Sequence, residues 1–178
     1  MFFRKELLKK IVPSFRVITS GVDEERITAS SPASFARKAA ISKAKAVAAK
    51  YKDSTVIGAD TIVVLGRKIL GKPKDRQDAI AMLKSLAGKT HKVITGIAVV
   101  FPGSKTVSGT CVTKVKMKKV SDREILKYVD SDGPLDKAGA YGIQEIEEIF
   151  IDKIEGDYDN VVGLPVCQLQ AILSRGTK

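Results

Sequence analysis

The sequence predicts an α/β protein in which a mixed sheet is flanked by helices. Three observations carry that reading. Strand-like apolar runs alternate with helical patterns along the 178 residues. The turn Pro102-Gly103-Ser104 separates two strand-like runs and predicts one antiparallel hairpin. Val56 to Val64 has the character of a strand buried on both faces.

The elements follow in order. Lys5 to Ile11 has the apolar spacing of a short amphipathic helix, and Ser14 to Ser20 that of a strand. Pro32 starts an alanine-rich helix that reaches about Tyr51, with Ser31 as its N-cap. Strands are expected at Thr55 to Leu65 and Lys92 to Phe101, with a helix from Asp75 to Ala87 between them, closed by Gly88. After the turn, Thr106 to Val120 completes the hairpin. Ser121 and Glu124 form a capping box for a helix from Asp122 to Val129. A loop from Ser131 to Gly142 leads to a strand at Glu148 to Ile154. Pro165 occupies the first position of a last helix, Val166 to Ser174. No repeat or low-complexity linker interrupts the chain, so residues 1–178 read as a single domain.

A hydrophobic fraction of 44% suits a protein with a substantial core. No apolar run approaches the roughly 18 residues of a membrane span, and the start Met1-Phe2-Phe3-Arg4-Lys5 lacks the core of a signal peptide. A cytoplasmic protein without membrane association is expected. Cys111 and Cys167 lie far apart without metal-type spacing, which predicts free thiols. The net charge of +11 suits an anionic partner, either a phosphorylated small molecule or a nucleic acid backbone. The basic residues are scattered, and four Tyr and six Phe offer little for base stacking. No nucleic-acid-binding motif is present, so no specific nucleic acid is expected.

Two residues draw attention without any outside comparison. Asp60 interrupts the apolar run, and a carboxylate there is costly unless cations or donors meet it. Lys43 has Ala36, Ala39, Ala40, Ala46 and Val47 as its helical neighbours, which puts it on the packed face, whereas Lys38, Lys45 and Lys50 have more polar surroundings. Lys72 lies between Gly71 and Pro73, a setting that fixes backbone direction. His91, the single histidine, sits at a strand entry and reads as structural.

Six ordered motifs resemble those of one family. They are Gly58-Ala59-Asp60-Thr61-Ile62-Val63, then Ile69-Leu70-Gly71-Lys72-Pro73, Ala79 to Leu86 with Gly88, His91-Lys92-Val93-Ile94-Thr95-Gly96, Asp136-Lys137-Ala138-Gly139-Ala140-Tyr141-Gly142-Ile143-Gln144 and Asn160-Val161-Val162-Gly163-Leu164-Pro165. Together they resemble the Maf family of nucleoside triphosphate pyrophosphatases, over nearly the whole chain. The resemblance implies the elongated two-lobed α/β fold shared with inosine triphosphate pyrophosphatases, with the nucleotide in a cleft between lobes. It implies hydrolysis of a triphosphate to monophosphate and pyrophosphate, and a homodimer. By the same match Glu24 and Asp60 hold a divalent cation, Mg²⁺ or Mn²⁺, and Asp60 serves as its ligand or as base for the attacking water. Lys43 and Lys72 would hold phosphate oxygens, and Gln144 would line the site. Thr61 marks the subgroup acting on dTTP and UTP.

Two departures stand out. Family members begin with an apolar strand and Ser-x-Ser-Pro-Arg-Arg, an apt anion site at a helix N-terminus. Here Arg4 matches the second arginine and Phe3 replaces the first, while the strand and serines have no counterpart. The resemblance then implies either a start further upstream or a slow enzyme, and a catalytically weak nucleotide-binding or regulatory protein is the alternative reading. Glu145 replaces a usual glycine, where it would repel the substrate or point to solvent.

Overall fold

The computed structural model of the protein describes residues 2–103, 105–131 and 134–176. Its elements are α1 (Phe2–Lys9), α2 (Pro32–Ala48), β1 (Val56–Leu65), β2 (Lys68–Leu70), α3 (Arg76–Leu86), β3 (Thr90–Val100), β4 (Thr106–Met117), α4 (Asp122–Val129), α5 (Ile143–Phe150), β5 (Ile151–Glu155), α6 (Tyr158–Val162) and α7 (Val166–Gly176). One five-stranded sheet runs in the order β2-β1-β3-β4-β5. β2 lies antiparallel to β1 with Val63 opposite Leu70, and β5 antiparallel to β4 with Val115 opposite Ile154. The chain divides into two compact units: Met1–Thr61, Ile94–Cys111 and Asp159–Lys178 form the first, Ile62–Val93 and Val112–Tyr158 the second.

In the first unit the two-residue period of the strands sorts side chains onto two faces. Ala59, Ile97, Val99 and Phe101 join Leu7 of α1 and Leu164, Leu169 and Ile172 in one buried cluster. Their alternates Val56, Ala98 and Val100 pack with Ala40 and Ala44 of α2 in another. α2 forms where expected, because the Ser31 hydroxyl accepts from Ser34 N–H at 3.2 Å and Pro32 opens the first turn. This helix sits very close to the sheet. A methyl group on Gly58 would collide with the Ala40 carbonyl oxygen, and one on Gly96 with the Ala36 carbonyl. Only glycine permits that approach.

The second unit buries Leu83 and Leu86 of α3, Val115 and Met117 of β4, Ile125 of α4, and Ile146 and Phe150 of α5. α4 carries the expected capping box, with Glu124 N–H donating to Ser121 Oγ at 3.3 Å and Ser121 N–H to Glu124 Oε2 at 2.8 Å.

Four expectations change. Residues 14–20 form no strand. Their pattern suits one, but Phe15 and Ile18 instead line an apolar groove of about 730 Å³ together with Val56, Ile57 and Phe101. A strand exists only by bonding a neighbour, and no backbone bond of that kind was found for this segment among the described residues. The strand expected at Glu148 to Ile154 begins only at Ile151, because Ile143, Ile146 and Phe150 make one buried helical face that carries α5 through Phe150. β2 and α6 were not anticipated, and each is short. The expected loop from Ser131 to Gly142 contains two single 3₁₀ turns, Pro134–Asp136 and Ala138–Ala140, with residues 132 and 133 outside the described part.

Candidate active site

Alternation along β1 decides which way its carboxylate faces. Asp60 falls in phase with Val56 and Gly58 and therefore faces α2, whereas Thr61 falls in phase with Ala59 on the opposite face. On α2, Lys43 follows Ala40 by three residues and Ala36 by seven, so it continues the small-residue face that seats the helix. The two periodicities bring their charges together. Lys43 Nζ donates to Asp60 Oδ1 at 2.7 Å.

The same ammonium lies 2.6 Å from Glu24 Oε1, in the single 3₁₀ turn Glu24–Arg26 capped by Asp23. Lys43 therefore bridges both carboxylates. Side-chain exposure grades from 8% at Asp60 through 21% at Lys43 to 45% at Glu24, so the cluster has a buried and an open end. Asp60 Oδ2 is buried with no hydrogen-bond partner among the described residues. A carboxylate oxygen in that condition keeps its full capacity for a cation or a proton.

On the other face of β1, Arg4 of α1 makes three hydrogen bonds within the fold. Its Nε donates to the Gly163 carbonyl at 2.8 Å, Nη1 to the Ala59 carbonyl at 3.1 Å and Nη2 to Thr61 Oγ1 at 3.1 Å. Burial lowers its pKa from the ordinary value, opposed by the charges of Asp60 and Glu24. Thr95 Oγ1 donates to the Asn160 carbonyl at 3.1 Å, and the Thr61 hydroxyl has both Thr95 Oγ1, at 2.9 Å, and the Gly163 carbonyl, at 3.4 Å, within reach. Hydrogen bonds link Arg4 through Thr61 and Thr95 to the backbone beside α6. Arg4 and Thr61 thus brace both neighbours of Asp60, a role their residue types alone did not disclose.

The other two candidates belong to the second unit. Lys72 is exposed, with no hydrogen bond or ion pair found for it among the described residues. Its turn is tied to the glycine-rich loop, where Gly139 N–H donates to the Gly71 carbonyl at 2.9 Å. Gln144 is exposed in the first turn of α5 rather than in a loop. Glu145 neither faces solvent freely nor stands as a bare charge: Tyr128 Oη donates to its Oε2 at 2.7 Å, and Lys137 Nζ lies 3.1 Å from Oε1. Tyr128 Oη also accepts from Gly142 N–H at 3.2 Å, so a tyrosine from α4 caps a helix whose own N-cap has no side chain to do so. His91 is buried with Nε2 2.6 Å from Tyr141 Oη, and burial pushes its pKa down to about 4. Cys111 and Cys167 form no disulfide among the described residues. No described helix is long and apolar enough to cross a membrane.

Sheet, helices and the Lys43-bridged acids define an α/β protein with a charged cluster set against its sheet. Comparison with known proteins gives its kinship. The family model described as "Maf-like protein" matches residues 2–176, and the chain belongs to the Maf family. It is 48% identical over 174 residues to the dTTP/UTP pyrophosphatase of Thermoanaerobacter sp. (strain X514), covering 97% of this chain and 91% of that protein. The dTTP/UTP pyrophosphatase of Alkaliphilus metalliredigens (strain QYMF) is 47% identical over 97% of this chain and 90% of its own. That of Pyrococcus furiosus (strain ATCC 43587 / DSM 3638 / JCM 8422 / Vc1) is 44% identical, covering 98% and 91%.

Proposed function

We propose that this chain hydrolyses nucleoside triphosphates to the monophosphate and pyrophosphate, with dTTP and UTP as preferred substrates. The observation that carries the reading is Asp60, a buried carboxylate on an apolar strand with one oxygen held by Lys43 and the other without a partner among the described residues. The names of the curated relatives support the reaction and the choice of pyrimidines.

The donor set fits a hard divalent cation. Asp60 and Glu24 supply only oxygen, and no described cluster of three or more His, Cys, Asp or Glu exists. Mg²⁺ and Mn²⁺ suit such a pair, since they are commonly held by one or two carboxylates, with water and substrate phosphate completing the shell. When bound, the cation neutralises phosphate charge and orients a water for in-line attack. Asp60 acts through Oδ2, as ligand to that cation or as acceptor of the water's proton. Water adds to the α-phosphorus, the bond to the bridging oxygen breaks, and pyrophosphate leaves. Lys43 supplies positive charge toward the phosphate oxygens. Lys72 and Gln144 would contact the substrate.

The test is pyrophosphate release by the purified chain with Mg²⁺, across canonical and modified triphosphates. Release led by dTTP and UTP is expected. Nucleotide binding without release would replace the enzyme with a nucleotide-binding protein.

A further inference from the structure

Lys43 bonds the same two carboxylates that would hold the divalent cation, Glu24 at 2.6 Å and Asp60 at 2.7 Å. A divalent ion on Asp60 Oδ2 and Glu24 would sit beside the ammonium already held by Asp60 Oδ1 and Glu24 Oε1, and two cations that close repel strongly. One must yield. Asp60 is fixed on a buried strand braced on both sides by Arg4, and Glu24 is anchored in a capped turn. Lys43 ends a flexible stem on a face of small residues, and it is the member able to move.

We propose that Lys43 is an exchangeable counter-ion: it neutralises the acid pair itself, and divalent-cation binding releases its ammonium to the triphosphate. Rate and affinity then couple through one side chain. Cation arrival both fills the acids and frees the positive charge that the phosphates need, so neither event is complete alone. The inference rests on the metal assignment proposed above and goes further, since a lysine that only contacted phosphate would have no bearing on cation affinity.

Two nucleotide-free measurements test it. In the first, wild-type protein is treated with a limiting amine-reactive reagent, with and without Mg²⁺, and labelling is read by peptide mass spectrometry. Mg²⁺ should raise labelling of Lys43 several-fold and leave Lys45, exposed on the same helix, unchanged. In the second, Mn²⁺ affinity is measured by electron paramagnetic resonance. Lys43→Met should bind Mn²⁺ about tenfold more tightly, having lost its internal competitor, and Lys45→Met as wild type. The labelling arm needs no substitution, so a Lys43→Met protein that fails to fold leaves the idea open to refutation. Unmoved Lys43 labelling overturns the inference, as does equal or weaker Mn²⁺ binding by folded Lys43→Met. Asp60→Asn separates the two levels: if it leaves Mn²⁺ affinity intact, the metal assignment itself fails and takes the inference with it.

Discussion

Arg4 Nη2 donates to Thr61 Oγ1 at 3.1 Å across 57 residues of sequence, and the same guanidinium holds the Ala59 carbonyl. The acid between them is therefore clamped by the first helix. Replacing Arg4 with Met leaves two carbonyls and a hydroxyl without their donor. The expected cost is about 2–5 kcal/mol, read as a fall in Tm of roughly 5–15 °C. Arg4→Lys should recover only part, because an ammonium cannot serve three divergent acceptors as the planar fork does. An Arg4→Met protein with wild-type Tm would show that these bonds contribute nothing to the fold.

Asp60→Asn keeps the shape of the side chain and removes its charge. Pyrophosphate release should fall by about a hundredfold or more, whether the group binds the cation or takes the proton. Circular dichroism on the same sample confirms that the fold persists. Near-normal turnover in the folded variant would move the chemistry elsewhere.

Tyr128 serves α5 as a cap from outside the helix. Tyr128→Phe removes the acceptor for Gly142 N–H and the donor to Glu145 together. Urea unfolding should show a loss of about 1–2 kcal/mol. Glu145→Gln keeps an acceptor and should cost less. The reverse order would place the stabilisation in the Lys137 ion pair instead.

Stability should also depend on pH through His91. Its pKa is about 4 in the fold against 6.5 as the ordinary value, so folding favours the neutral ring. The unfolded chain binds more protons between those values. The contribution is then fully present above pH 6.5 and is lost as pH falls toward 4, by about 3 kcal/mol in total. His91→Gln can still bond the Tyr141 hydroxyl and does not titrate, and its unfolding free energy should slope less across this range. An unchanged slope would mean that the ring reaches solvent.

Much of this was legible because charge and period coincide. Asp60 stood out as a carboxylate in an apolar run, Lys43 as a lysine on an alanine face, and Ser121 with Glu124 as a capping box, each a local pattern with a local cause. The brace around Asp60 was not legible, since two of the three acceptors of Arg4 are backbone carbonyls, one of them 159 residues away. A carbonyl has no residue type to read. The Glu145 network was hidden for a related reason, as its tyrosine is brought by a separate helix 17 residues upstream. Residues 14–20 show the opposite failure, a strand pattern without a strand, because pairing needs a neighbour that local sequence does not supply. α5 was within reach: the spacing of Ile143, Ile146 and Phe150 already followed a helix.

Gly58 and Gly96 carry no side chain, yet they set how closely α2 lies on the strands beneath it. Their hydrogens let α2 come down onto the strands at two points, where a methyl would collide with the Ala40 carbonyl oxygen or the Ala36 carbonyl. Lys43 rides on that helix and has 2.7 Å to span to Asp60. Under random mutagenesis these two glycines would therefore behave like active-site positions, intolerant of even the smallest side chain, while lacking any functional group that could explain why.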